Sequence, residues 1–296
     1  MQPARALAAA LEPIVGQVYF SPECHANYAA LGFDPSPGEM NGVAMPDGPA
    51  YFTSRGSLMG QVPGEMVAAA FAVFNPEAVI PSVALGWSRT DPTTIGHARD
   101  HGGIDQLRRI LGDEPAAVVQ ARRLLERAVT PLRPEGRPLF AGVLSQPMPG
   151  LDLGAVWRLG DMLREYRGDS HTAAWISAGF DATEIGLVSE LYWGLPMRTY
   201  SRSRAWTNDQ FDAAHERLQA RGLVNETALT DAGRAAREEV EVRTDGQLDG
   251  VIRALGTDLD ELLAILLPWG AAVREAKGYP ASGPHDLADL AQIAAH

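Results

Sequence analysis

Along most of the chain, apolar residues recur at three- and four-residue spacing, the period of a helix with one buried face. "GEMVAAAFAVF", "AAVVQARRLLERAV", "LGAVWRLGDMLREY", "DQFDAAHERLQARG" and "DELLAILLPWGAAVREA" all carry it. Strand-like stretches are few and short. The pattern predicts a mainly α protein. Its helical segments are separated by Pro/Gly-rich loops at "GFDPSPGEMNGVAMPDGP", "PLRPEGRP" and "SQPMPG". The last two bracket residues 131–150 and divide the chain into an N-terminal helical domain, 1–140, and a C-terminal domain, 141–296.

The second half has a readable order. One helix is expected to end at Tyr166, broken by Gly168, and another to run from near Ser170 toward Gly179. A third follows Asp181 as N-cap and reaches Leu191. A fourth opens on Thr207 and stops at Gly222. "LVNETALT" then reads as two short extended pieces around the turn Asn225-Glu226-Thr227, and Thr230 or Asp231 caps "DAGRAAREEVEVRTD". Helix, helix, helix, short hairpin, helix is the order of a winged helix. The phrase "LQARGLV…ALTDAGRA" closely resembles the wing region of MarR-like proteins. The first half reads as a degenerate copy, with Phe74 laid on Phe180 and Arg122 on Arg234, at offsets of 106 and 112. The expected fold is thus mainly α, with two winged-helix-like halves and short β wings; whether the halves arose by tandem duplication stays open.

"VYFSPECHANYAALGF", "YFTSRGSLMGQVPGEMVAAAFAVFNPEAV", "LREYRGDSHTAAWISAGF" and "LTDAGRAAREEVEVRTD" together resemble an actinobacterial helix-turn-helix family, the SalK-like proteins. The similarity runs from about Val15 to Leu267. Members usually read Arg-Gly-Asp-Gly-His where this chain has Arg167-Gly168-Asp169-Ser170-His171. The resemblance implies winged-helix architecture, tandem or single, and does not by itself imply an activity.

Composition and charge narrow the function. No apolar run reaches the ~18 residues of a membrane span, and "MQPARALAAALEPIVGQVYF" reads as an amphipathic helix rather than a signal peptide, which points to a cytoplasmic protein. Cys24 is the single cysteine, so no intrachain disulfide and no cysteine-based metal cluster can form. The formal net charge of -12 opposes nonspecific attraction to phosphate backbones. The candidate recognition helix, Asn208 to Arg221, sets Arg217 and Arg221 against Asp209, Asp212 and Glu216. If the module reads DNA, Arg198, Arg202, Arg204, Arg217 and Arg221 would make the contacts. A homodimer would then present two modules along one positive face. Glu226 leaves the wing without a basic tip.

The densest chemistry lies in "REYRGDSHTAAW". With a helix opening at Asp169 or Ser170, its free N–H groups would favour an anion. His171 would sit in the first turn, able to transfer a proton with Asp169 orienting it. "SPECHANY" adds Glu23 and His25, and "YFTSRGSLMG" adds Arg55. The expected site is an interdomain pocket for a small organic molecule, anionic in character. Its acid–base residues would be His171, Asp169 and Glu23, and its binding residues Arg55, Arg167 and His25. Whether such a pocket is catalytic stays open, and DNA is a partner only in the regulator alternative. No nucleotide-loop, serine-hydrolase or metal signature is present, so neither cofactor nor metal is expected.

Overall fold

The computed structural model describes residues 2–281. The first half of the chain begins with α1 (Pro3–Gly16) and α2 (Pro22–Ala30), followed by the strands β1 (Glu39–Met40) and β2 (Val43–Ala44). Next come α3 (Gly48–Gly56), α4 (Gly64–Phe71), α5 (Pro76–Arg89), α6 (Pro92–Leu111), α7 (Val118–Val129) and α8 (Pro138–Leu144). The second half holds α9 (Asp152–Ser177), α10 (Ala182–Tyr192), α11 (Asn208–Ala220), α12 (Asp231–Gly246), α13 (Asp249–Leu255) and α14 (Leu259–Glu275). The protein is mainly α with short β elements. Prolines open α2, α5, α6 and α8, where a missing N–H costs nothing. Ser21, Asp47, Asn75 and Asp91 cap the helices that follow them.

The main core draws on residues from Ala4 to Tyr279. Within it α1 lies against α14 and α9, and α7 and α8 also pack on α9. A second core, with Trp175, Phe180, Val188, Phe211, Leu218 and Val240, belongs to the end of α9 and to α10–α12. A third joins α3, α4 and α5 through Phe52, Phe71 and Phe74. The two proposed halves meet at α8, whose Leu139 and Phe140 are buried.

From α10 to α12 the expected order of elements is present: helix, helix, short hairpin, helix. Asp181 and Thr207 each form a reciprocal capping box, with Glu184 and Gln210 respectively. Gly222 takes a left-handed φ of 69°, and Thr230 caps α12. The expected hairpin between α11 and α12 is reduced to a single bridge, Val224 to Leu229. The Asn225 side chain accepts from the Thr227 and Ala228 amides, closing the turn at once. On either side of that bridge the Asn225 amide donates to the Ala228 carbonyl and the Thr230 amide to the Leu223 carbonyl, so the hairpin is short but formed. Among the described residues the two-stranded sheet is instead β1–β2, antiparallel, in the first half. Phe74 and Phe180, overlaid in the sequence comparison, each precede an N-cap, Asn75 for α5 and Asp181 for α10.

The largest departure from expectation is α9. Gly168 does not break it, and neither Asp169 nor Ser170 caps a new helix, because one helix runs unbroken through 26 residues. A mid-helix glycine costs about 1 kcal/mol. Tyr166, Asp169, Ser170, Ala174 and Trp175 are all buried around it, and that burial exceeds the local cost. Nothing packs closely on Gly168 itself, since an added Cβ would meet no atom nearer than 3.9 Å, the Glu165 carboxylate.

Candidate functional site

Because α9 is continuous, the expected anion site at a helix N-terminus within residues 168–171 does not exist, and His171 sits in mid-helix. The polar residues of α9 instead radiate to three different elements. Arg55, in the last turn of α3, donates through Nε and Nη2 to the two oxygens of Glu165, at 3.0 and 2.7 Å. Arg164 donates to the same carboxylate at 3.1 Å and also to Glu12 of α1. The Tyr19 hydroxyl lies 3.4 Å from Glu165. Glu165 is fully buried. Burial alone would raise its carboxyl, but Arg55 and Arg164 hold it down at about 2. Deeper in the core, Arg99 donates to Asp161 at 2.8 Å and Arg158 pairs with Asp100.

On the side facing α12, Arg167 donates to Glu241 at 2.8 Å. The His171 Nδ1 lies 3.1 Å from the Thr244 hydroxyl, which already donates to the Val240 carbonyl. The ring must therefore be the donor, with its proton on Nδ1. Among the described residues, His171 Nδ1 lies 3.9 Å from the Glu241 carboxylate and makes no ion pair with Asp169. Arg237 and Arg167 keep Glu241 well below the usual carboxylate range.

Asp169 faces a third neighbour. Its Oδ2 accepts from the Phe140 amide at 3.0 Å, so it satisfies the open N-terminus of α8 across a tertiary contact. Burial nevertheless pushes its carboxyl up to about 7. A folded pKa above the unfolded value means stability that is full below the unfolded pKa, near 4, and lost as pH rises through about 7. Asp169→Asn keeps an acceptor for Phe140 and removes the buried charge. It is expected to be more stable than the parent at pH 8 by up to about 4 kcal/mol, the full worth of raising the carboxyl from near 4 to about 7, with the gap closing toward pH 4. Urea midpoints across that range measure it. A difference independent of pH would refute the assignment.

Glu23 and His25 lie on α2, apart from these contacts. Glu23 pairs with Arg109 of α6 at 2.6 Å, beside an open groove that it lines with Phe20 and Lys277. His25 Nε2 lies 3.0 Å from the Tyr19 carbonyl, and the ring lines a second, narrower cavity with Tyr28, Asp47, Tyr51 and Ser54. Neither of these two cavities is lined by Arg55, Arg167, Asp169 or His171. The expected residues thus fall into separate sets: Arg167 with His171 at Glu241, Arg55 at Glu165, Asp169 at α8, Glu23 at Arg109, and His25 at its own cavity. Tyr51 was missed from sequence, although its four-residue spacing from Arg55 places the two on one helix face. The Arg55 Nη1 lies 3.4 Å from the Tyr51 hydroxyl.

The residues of the DNA alternative are mostly engaged within the module. Arg217 donates to Asp181 at 2.5 Å and to Glu184 at 3.1 Å. Arg221 donates to Glu184 at 2.9 Å. Arg198 pairs with Asp212. Arg204 donates to the Tyr200 hydroxyl at 2.5 Å and lies 4.4 Å above the Phe74 ring. Arg202 is exposed. The exposed side of α11 carries Asp209, Asp212 and Glu216, one helical stripe of acids.

No helix of the described residues is long and apolar enough to cross a membrane, and no group of three or more metal-ligating side chains forms among them. No curated protein and no solved structure matches the chain. The model of a helix-turn-helix family matches residues 4–280, nearly the whole chain, and the protein belongs to that helix-turn-helix family.

Proposed function

We propose that this helix-turn-helix protein is a cytoplasmic binder of a small organic molecule, received by the cavity between α2 and α3. The SalK-like and MarR-like resemblances are its finer family assignment, and the 1–140 and 141–296 halves are its working division. The observation that carries the reading is the position of Tyr51. It lines the cavity, is hydrogen-bonded to Arg55 of the buried ion-paired layer, and packs on Phe71 and Phe74. Phe74 in turn lies under Arg204, in the turn that leads into α11. A ligand against Tyr51 therefore touches a packed chain that ends at the helix-turn-helix module. Acid–base chemistry is the less favoured part of the reading, since His171 and Asp169 have separate partners.

A panel of small molecules screened by thermal shift on the full chain tests this. A ligand at 100 times its Kd adds about 2.7 kcal/mol of stability. The expected result is at least one stabilising chemical class whose effect disappears in the cavity-filling variant Ala50→Met. A panel with no stabilising member, or effects unchanged in Ala50→Met, would overturn it.

Exposed Arg202 and the family match favour the DNA-binding regulator as a second reading. The acidic stripe on α11 and the internal pairing of Arg217 and Arg221 oppose it. Specific regulators reach about 10⁻⁸ M or tighter at physiological salt. A mobility-shift assay on the region upstream of the protein's own operon is expected to show no such affinity. A complex at nanomolar protein would reverse the ranking of the two readings.

A further inference from the structure

The cavity beside α2 has a consistent hydrogen-bonding character. His25 Nε2 faces the Tyr19 carbonyl, which can only accept, so the ring proton resides on Nε2. Nδ1 is then a bare acceptor, and it is buried with no partner among the described residues. Burial also lowers the pKa of the ring, which favours its neutral form.

Asp47 adds a second acceptor. Its Oδ2 caps α3 through the Ala50 amide, which leaves Oδ1 for another donor. Burial and the nearby Asp34 carboxylate raise its carboxyl above the ordinary value, with Arg89 and His25 acting in the opposite sense. The Ser54 hydroxyl gives its proton to the Tyr51 carbonyl, and that of Ser36 goes to backbone carbonyls of its own loop. Asp34 and Asp47 both line the cavity, whereas Arg89, whose guanidinium lies 5.5 Å from the Phe33 ring centroid and which makes no ion pair among the described residues, is not part of its lining. Tyr19, Tyr28 and Tyr51 contribute aromatic wall, a surface that attracts cations. The interior has space for little more than one water-sized group.

Resting on the small-molecule reading above, we infer that this cavity is a site for a small organic cation, with a protonated primary amine as the head group that enters it. The –NH₃⁺ group is donor-only, close to water in size, and meets His25 Nδ1, Asp47 Oδ1 and the tyrosine rings. The organic remainder of the ligand lies at the mouth, beside Asp34, Ser36 and Pro46. A carboxylate or phosphate would meet acceptors and negative charge there, so the anionic ligand expected from sequence does not suit this cavity.

The test is calorimetric titration of the full chain with n-propylammonium, ethanolammonium and putrescine, against propionate and n-propanol of matched size. The expected result is saturable binding of the ammonium compounds and none of propionate. Asp47→Asn retains an N-cap and removes the charge. It is expected to weaken ammonium binding at least tenfold while leaving the melting temperature within a degree or two. His25→Phe, which removes the acceptor, is expected to weaken binding as well. Binding of propionate or propanol but not of ammonium overturns the cation assignment and leaves the small-molecule reading standing. No binding by any of the five overturns the cation assignment, and the wider panel then decides the broader reading separately. Ammonium binding unchanged in both variants places the cation elsewhere and overturns the site.

Discussion

Glu165→Gln is expected to destabilise the protein by about 3–5 kcal/mol, the usual cost of removing one partner from a buried ion pair. The side chain is 0% exposed and answers two guanidiniums, Arg55 and Arg164. Glutamine has nearly the same shape, so packing changes little. The loss comes from leaving Arg55 buried without a counter-charge, while Arg164 keeps Glu12. Chemical denaturation at pH 7 measures it directly. The pH dependence supplies a second signature. The carboxyl is depressed to about 2 in the fold, so its contribution is full above the unfolded pKa, near 4.5, and is lost as pH falls from there toward 2. The gap between parent and variant should therefore be flat from pH 5 to 8 and narrow on acidification. A loss under 1 kcal/mol at pH 7 would mean that the arginines find water or other partners, and that the layer is less closed than its geometry indicates.

Gly102→Ala is the second large effect. Gly102 lies in α6 where that helix crosses α2, and an added Cβ would stand 2.6 Å from the Cys24 backbone nitrogen and Cα. Those are backbone atoms and cannot swing away as a side chain tip can. The Ser21 hydroxyl also donates to the Gly102 carbonyl, tying the cap of α2 to the same spot. Overpacking typically costs 1–3 kcal/mol, and with backbone on the opposing side we expect about 3 kcal/mol. Because α2 carries His25, the displacement reaches the cavity. The variant should therefore lose ligand response beyond what its folded fraction explains. Paired melting and binding measurements separate the two. A variant that melts within about 2 °C of the parent, on a scale of roughly 2–4 °C per kcal/mol for a domain of this size, would show that the α2–α6 crossing is slack.

The caps and stops of α10, α11 and α12 were legible because each is a local event. Asp181, Thr207, Gly222 and Thr230 act on residues within a turn of themselves. The continuity of α9 was not legible. Gly168 next to Asp169 and Ser170 has the local chemistry of a helix start, and only burial against distant elements reverses it. The candidate site shows the same division. The charged residues were visible as a cluster, but the groups that answer them, Glu12, Glu241, Thr244 and the Phe140 amide, are remote in sequence. Charge density marked where ion pairs would form and not what they would enclose. His25, which seemed one member of a larger set, keeps a nitrogen without a partner among the described residues because its immediate neighbours already use their protons.

The unbroken α9 also places a constraint on how this chain can vary. At 26 residues it is about 39 Å long. It carries Trp157, Asp161 and Glu165 into the main core, and Trp175 into the core of α10–α12. One residue inserted between Glu165 and Trp175 would turn everything beyond it by about 100° and advance it by about 1.5 Å. Arg167 would lose Glu241, Asp169 would lose α8, and Trp175 would leave its pocket, all in one step. Substitution along the shaft is thus far more tolerable than any change in its length, and α9 acts as a gauge that fixes the angular setting of the α10–α12 unit on the rest of the molecule.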